Sequence, residues 1–152
     1  MHYEPPHPAD NRWQRGAIVE ALYFADSEET AWAEWYRYLA EASLPPQQGL
    51  PRDLWRWEIS LPDVADLSDD NRLGCMKLPR LRPTRLQWPT FQPVGEQLHR
   101  EGWHALVSSS AARPEGRTLC VFRTAREVPG TTPIPPPKTV EEPPVVPTGM
   151  RT

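Results

Sequence analysis

The chain has 152 residues, of which 38% are hydrophobic and 20 are prolines, and its formal net charge is −3. This acidic balance argues against a general nucleic-acid binder, and no apolar run is long enough to cross a membrane. With only two cysteines and no secretory signal at its amino terminus, the chain is predicted to be a soluble, reduced, cytoplasmic protein.

Proline is concentrated at the two ends of the chain and divides it into three parts. Residues 1–9 contain three prolines and are predicted to form a flexible arm. Residues 127–152 contain eight prolines and are predicted to form a disordered, proline-rich tail, with polyproline II as its favoured conformation. A docking role for this tail on a proline-reading module is the alternative. The body between them, residues 10–126, is long enough for one hydrophobic core.

The body opens with a strand and a helix. Residues 18–24 (IVEALYF) are rich in β-branched and aromatic side chains, and their nearly continuous apolar run predicts a strand covered on both faces. Residues 27–41 (SEETAWAEWYRYLAE) carry an apolar stripe at helical spacing, preceded by Asp26 or Ser27 as the cap. A helix is therefore predicted there.

The rest of the body is predicted to contain both strands and a helix. Residues 54–61 (LWRWEISL) alternate, which predicts a strand whose Trp55 and Trp57 face the core. Residues 62–89 combine basic residues with prolines and are predicted to be mostly irregular. Further elements are predicted as a helix at 90–100 and strands at 103–107 and 118–123. This order indicates a single α+β domain.

Common catalytic and metal-binding motifs are missing from the sequence. It contains no P-loop, no glycine-rich dinucleotide fingerprint, no HExxH and no Cys-x-x-Cys. His99 and His104 have no third ligand nearby, and Cys75 and Cys120 lie in apolar surroundings where cysteine packs as a small hydrophobe. No metal site is predicted.

The remaining candidates for chemistry are scattered along the chain. Arg12 is followed eleven positions later by Tyr23, and Glu34 follows after another eleven, while serines occupy 108–110. Each has a simple structural interpretation: Glu34 forms a helix-surface ion pair with Arg37, and Tyr23 is a core residue. Fifteen of the 17 basic residues are arginines; this permits phosphate binding, but genomic base composition is the simpler explanation.

Taken together, these residues match a known pattern. The stretch NRWQRGAIVEALYFADSEETAWAEW resembles the RES domain family, whose members read G-R-W-N-x-x-G, then L-Y-L-A, then a helix with A-x-x-E. The stretch EGWHALVSSSAARPEGRTLCVF is similar to that family's carboxy-terminal signature, in which a serine precedes a P-x-G-x-N-L turn and a strand. Ser110 falls at the family's serine when the turn and strand are aligned without a gap. The resemblance covers residues 11–123.

The resemblance implies a fold and a function. The fold is ADP-ribosyltransferase-like, with a mixed β-sheet core and flanking helices in a single domain. The function is that of a toxin in a toxin–antitoxin pair, which consumes NAD+ as its substrate and is held inactive by an Xre-like antitoxin. Such a toxin cleaves the nicotinamide–ribose bond as an NAD+ phosphorylase or glycohydrolase. The alternatives are a protein ADP-ribosyltransferase and a non-catalytic, partner-binding module.

The resemblance also implies roles for individual residues. Glu34 stabilises the positive charge that develops on the ribose, Arg12 binds the pyrophosphate, and Tyr23 lies against the nicotinamide ring. Ser110 donates a hydrogen bond to the carboxamide or to a phosphate. Thr30, one helical turn before Glu34, supports the glutamate.

Two departures from the family pattern favour the non-catalytic alternative. Many members carry a histidine one helical turn after the glutamate, where this chain has Tyr38. Members also usually begin with a further strand that bears an arginine, whereas eleven residues precede Arg12 here. Without that strand, one side of the pocket is expected to be open.

Overall fold

In the computed structural model of the chain, residues 9–151 are described. The predicted arm, residues 1–9, lies outside this part of the chain except for Ala9. The described residues form the helices α1 (Glu28–Glu41), α2 (Asp70–Cys75) and α3 (Trp88–Arg100). Their strands are β1 (Glu20–Ala25), β2 (Arg52–Ile59), β3 (Val64–Leu67), β4 (Ala105–Ser109), β5 (Arg117–Arg123) and β6 (Thr131–Val140). No helix within residues 9–151 is long and apolar enough to span a bilayer.

The strands form two separate sheets. The larger has the order β1-β5-β4-β3, in which β5 is antiparallel to both of its neighbours and β3 runs parallel to β4. The smaller is an antiparallel pair of β2 and β6, which we call the ribbon. The prediction of a single mixed α+β domain is confirmed.

The main core lies between the larger sheet and α3. Trp13, from the segment before β1, is 1% exposed and meets Phe91 of α3 edge to face, with ring centroids 5.1 Å apart. Leu106 and Phe122 of the sheet complete the same cluster. Because truncating a buried Phe or Trp to Ala commonly costs about 3–5 kcal/mol, this contact fixes the segment that precedes β1 against α3.

Helix α1 forms as the sequence predicts. Ser27 caps it, its Oγ accepting a hydrogen bond from the N–H of Thr30 at 3.2 Å, and two glutamates follow in the first turn, where negative charge suits the helix dipole. Its apolar stripe packs against the ribbon through Leu54 and Val140. The buried members of that stripe are Trp32, Trp35 and Leu39.

Two expectations from the sequence are contradicted by the structure of the ribbon. Trp55 and Trp57 do not face the core, since they are 43% and 38% exposed. The reason is that β2 pairs only with β6 among the described residues, so one face of the ribbon covers α1 and the other meets solvent. Trp57 is partly covered by Phe24, with ring centroids 5.4 Å apart.

The second correction concerns the tail, residues 127–152, which was expected to be disordered. Thr131–Val140 instead forms β6, paired with β2 from Arg52 opposite Val140 to Ile59 opposite Thr131. The pairing is interrupted between Leu54 and Arg56, which is where residues 135–137, all prolines, lie on the partner strand. Proline is tolerated at edge strands and bulges because no ladder hydrogen bond is required of it there.

Other differences are smaller. Residues 62–89, predicted to be irregular, contain β3 and α2. Each is too short for the hydrophobic period of a strand or helix to be recognised in the sequence. β1 is not covered on both faces as expected, since Tyr23 is 36% exposed and the other residues of the strand are only half-buried. α3 begins at Trp88 rather than at residue 90, because Pro89 suits the first turn of a helix.

Candidate active site

A cavity of about 440 Å³ lies where α1 approaches the larger sheet. Its walls come from α1, from β1, β4 and β5, and from residues 11–13, with single residues of β2 and α3. The volume falls within the roughly 300–1,000 Å³ typical of small-molecule sites. The charged side chains that line it are Arg12, Arg37, Arg52 and Glu34. Three cations and one carboxylate favour an anionic ligand.

Glu34 is held by hydrogen bonds to both carboxylate oxygens. Its Oε1 accepts from Oγ of Ser110 at 2.7 Å and lies 3.5 Å from the N–H of Ala112, and its Oε2 accepts from Nε of Arg37 at 2.9 Å. The side chain keeps 26% exposure. Each carboxylate oxygen has two acceptor positions, so this carboxylate is fixed in orientation while retaining capacity for a ligand.

Arg12 forms part of the cavity wall and is itself almost fully enclosed, at 7% exposure. Its Nη2 donates to the carbonyl of Arg82 at 2.6 Å, and its Nη1 donates to Oε1 of Gln87 at 3.2 Å. The guanidinium carbon lies 5.4 Å from the centroid of Phe91. Burial, followed by the nearby positive charge of Arg37, lowers the pKa of Arg12 from 12.5 to about 10, so the group remains charged at neutral pH.

Helix α3 holds the segment that carries Arg12. A Cβ at Gly95 would lie 2.0 Å from the carbonyl oxygen of Trp13, so the backbone of this segment can approach the helix only because position 95 is glycine. Beside it, the carboxylate of Glu96 accepts from the backbone N–H of Arg15 at 3.0 Å and from its Nε and Nη2 at 2.9 and 2.7 Å. These contacts lower the pKa of Glu96.

Tyr23 is 36% exposed and places its ring in the cavity wall, while its hydroxyl contacts the segment before β1. The hydroxyl donates to Oε1 of Gln14 at 2.9 Å and accepts from the N–H of Trp13 at 3.4 Å. Burial raises the pKa of Tyr23 well above 10, so the phenol stays neutral. Although β1 is an edge strand, the tyrosine is thus fixed by the same segment that carries Arg12.

Ser110 lies at the start of the loop between β4 and β5 and is 1% exposed. Besides donating to Glu34, its Oγ accepts from the N–H of Arg113 at 2.9 Å. Its hydroxyl therefore joins the loop to the carboxylate. The structure places Ser110 behind Glu34 rather than in the cavity wall.

Thr30 of α1 is fully buried against the same loop, and in the described part of the chain its side chain makes no hydrogen bond to Glu34. Its Oγ1 lies 2.9 Å from Oγ of Ser27 and accepts from Nη1 of Arg113 at 3.4 Å. A Cβ at Gly116 would lie 2.0 Å from that oxygen, so Thr30 packs directly on the loop backbone. The cavity brings together Arg12, Tyr23 and Glu34, whereas Thr30 lies outside it.

Two arginines of the cavity were not predicted as site residues. Arg37 was expected only as the ion-pair partner of Glu34; the pair is present, but the side chain is 14% exposed and lines the cavity. It also donates from Nη1 to Oε1 of Glu41 at 2.9 Å. Arg52 is the first residue of β2 and reaches the cavity because β6 holds that strand in place. The spacing of Arg37 after Glu34 was a usable signal, whereas nothing near residue 52 indicated a site.

No group of three or more His, Cys, Asp or Glu side chains within residues 9–151 is arranged to hold a metal ion.

Comparisons with known proteins place this geometry in context. A family model described as the RES domain matches residues 1–143. A chain in the crystal structure of the M. tuberculosis MbcT–MbcA toxin–antitoxin complex is similar with a TM-score of 0.72 and 21% sequence identity, over 87% of this chain and 71% of that one. No curated protein sequence matches the chain. At this identity the structural likeness establishes a shared fold.

Proposed function

The chain belongs to the RES-domain family, and from that membership we propose that it consumes NAD+ by cleaving the bond between nicotinamide and ribose. One observation carries the proposal: the oriented carboxylate of Glu34 shares a cavity with Tyr23 and with three arginines. The remaining features of the cavity agree with the needs of that reaction.

Cleavage of the nicotinamide–ribose bond requires little more from the protein than one carboxylate positioned beside the ribose. Cleavage of a glycosidic bond passes through a transition state with oxocarbenium character. Nicotinamide leaves as a neutral group because it is cationic in NAD+, so no general acid is needed. Glu34 accepts hydrogen bonds from the ribose hydroxyls and stabilises the positive charge as it develops. Ser110 and Arg37 keep it in one orientation, which avoids reorganisation during the reaction.

The other side chains suit the two ends of the substrate. The ring of Tyr23 offers an aromatic face to the cationic nicotinamide, and its phenol stays neutral because its pKa is raised. Arg12 and its two neighbouring cations supply positive charge for the pyrophosphate. Inorganic phosphate or water then attacks the ribose carbon from which nicotinamide has left, giving phosphorolysis or hydrolysis.

The test is release of nicotinamide from NAD+ by the purified protein, measured by chromatography with and without inorganic phosphate. Glu34→Gln is expected to lower the rate about 10²–10³-fold, the usual effect of losing an electrostatic contact to the transition state. Glu29→Gln is the matched control, since Glu29 is an exposed residue of the same helix outside the cavity. Equal rates for the two variants would contradict the role of Glu34.

The products distinguish the alternatives. Transfer of labelled ADP-ribose to a protein would identify a protein ADP-ribosyltransferase. No release of nicotinamide, with no thermal stabilisation by millimolar NAD+, would identify a non-catalytic module.

We also propose that the protein is the toxin of a toxin–antitoxin pair and that an Xre-like antitoxin covers the cavity. The similar fold in the MbcT–MbcA toxin–antitoxin complex supports this. So does the exposed aromatic face of the ribbon, because Trp57 packs against Phe24, which lines the cavity. Expression of the chain by itself should slow growth and lower cellular NAD+, and co-expression of the antitoxin should restore both.

A further inference from the structure

The three arginines of the cavity differ in how many of their donors are already used. Arg12 has both terminal nitrogens engaged, by the carbonyl of Arg82 and by Gln87. Arg37 has its Nε and Nη1 engaged, by Glu34 and Glu41. For a phosphate that approached either group, two of the five N–H donors are therefore already taken.

Arg52 differs from both. It lines the cavity and is exposed, and its side chain makes no hydrogen bond or ion pair with any residue in the described part of the chain. The carboxylate next to it in sequence, Asp53, is turned to the other strand, where its Oδ1 accepts from Oγ1 of Thr139 at 2.7 Å. None of the residues 9–151 therefore occupies any of the five N–H donors of the Arg52 side chain, which are available to a ligand.

The backbone that carries Arg52 is nevertheless fixed. Arg52 pairs with Val140 of β6, and the ribbon packs against α1 through Leu54. A ligand that binds this guanidinium must order one side chain, but no loop. An arginine with unused donors on an ordered strand at the edge of a positive cavity is well suited to a phosphate, whose geometry matches its planar fork.

We propose that Arg52 binds the pyrophosphate of the substrate and is the residue of this site that selects for a phosphorylated ligand. This inference rests on the proposed function for the identity of the dinucleotide. Arg12 and Arg37 then contribute positive charge and hold Gln87 and Glu34, while Arg52 makes the direct bidentate contact. The residue that recognises the phosphates thus comes from the ribbon and not from the larger sheet.

The first experiment compares substrates with and without phosphate. Arg52→Ala is expected to raise KM for NAD+ about 10- to 100-fold, the effect of losing a hydrogen bond to a charged group, and to leave kcat nearly unchanged. Cleavage of nicotinamide riboside, which has no phosphate, is expected to be the same in both proteins. Arg52→Lys should recover part of the affinity, because lysine keeps the charge but not the fork.

Arg56→Ala is the matched control. It removes an exposed arginine from the same strand, outside the cavity, and is expected to leave KM unchanged. If the wild-type protein is active and the Arg52→Ala and Arg56→Ala variants have equal KM values, the role of Arg52 is overturned and the proposed function remains intact. So would an equal loss of activity on NAD+ and on nicotinamide riboside.

A second measurement needs no turnover. Equilibrium binding of ADP, which contains the pyrophosphate, is expected to weaken about 10- to 100-fold in Arg52→Ala and to fall as salt is added. If the wild-type protein does not cleave NAD+, the proposed function fails, and ADP binding still decides whether Arg52 binds phosphates. Equal affinity of ADP for the wild type and for Arg52→Ala would contradict the inference.

Discussion

Replacement of Ser110 by alanine tests whether the loop between β4 and β5 positions the candidate catalytic carboxylate. The hydroxyl donates to Oε1 of Glu34 at 2.7 Å and accepts from the N–H of Arg113 at 2.9 Å. In Ser110→Ala the carboxylate loses its shortest hydrogen bond, and the backbone N–H of Arg113 loses its acceptor. Arg37 remains on the other carboxylate oxygen, so Glu34 stays in place but is free to turn about that contact.

The magnitude follows from these two bonds. A hydrogen bond to a charged group is worth about 1.5–3 kcal/mol; if Glu34 needs it in the transition state, kcat falls roughly 10- to 100-fold. Glu34 keeps 26% exposure and regains a bond to water in the free protein. We therefore expect the free energy of unfolding to fall by only about 1–2 kcal/mol.

The assay is the kcat of nicotinamide release, with the unfolding midpoint measured on the same samples. Ser68→Ala is the control, because its Oγ also donates to a carboxylate, that of Asp66 at 2.6 Å, and neither residue lines the cavity. It is expected to lose a comparable hydrogen bond without a change in kcat. If Ser110→Ala keeps wild-type kcat while its unfolding midpoint drops, the hydroxyl only stabilises the loop and the reasoning is wrong.

Two further predictions concern the contact between α3 and the segment that carries Arg12. Gly95→Ala is expected to destabilise the protein by about 1–3 kcal/mol in denaturant unfolding, because the new Cβ would meet the carbonyl of Trp13. Gly74→Ala is the control and should not destabilise the protein, since its Cβ would meet no atom within 4 Å. Equal stability of the two variants would refute this prediction. The pKa of Glu96 is lowered from 4.5 in the folded state by its bonds to Arg15, so the stability it contributes is present above about pH 4.5 and is lost as the pH falls through the folded pKa. Between about pH 6 and about pH 3, the unfolding free energy should therefore fall less steeply for Glu96→Gln than for the wild type. Parallel curves would contradict the ion pair between Glu96 and Arg15 as the source of this pH dependence.

Elements that depend on local signals were predicted well. α1 has its cap, its acidic first turn and its apolar stripe within fifteen consecutive residues, 27–41, and the structure has the helix there. Tyr23 and Glu34 could be chosen as site residues because the family pattern extends over the strand and helix that carry them.

Elements that depend on distant partners were not predicted. The alternation in residues 54–61 indicated a strand, but it could not show that β2 leaves the larger sheet, and so its tryptophans were assigned to the core. The prolines of residues 131–140 concealed β6. Residues 135–137 lie where the pairing with β2 is interrupted, and Pro133 pairs with Trp57 in a two-stranded sheet, in which every strand is an edge strand. Arg52 was missed for the same reason, since its place in the cavity depends on that pairing.

The ribbon also sets when the site can be completed during synthesis. β2 leaves the ribosome early, but within residues 9–151 its only strand partner is β6, which ends at Val140. At about 5–20 residues per second, the interval between the two strands lasts several seconds. A nascent chain that already contains Arg12, Tyr23 and Glu34 therefore still lacks an ordered Arg52, and the wall it belongs to closes only after the residues of β6 have been made.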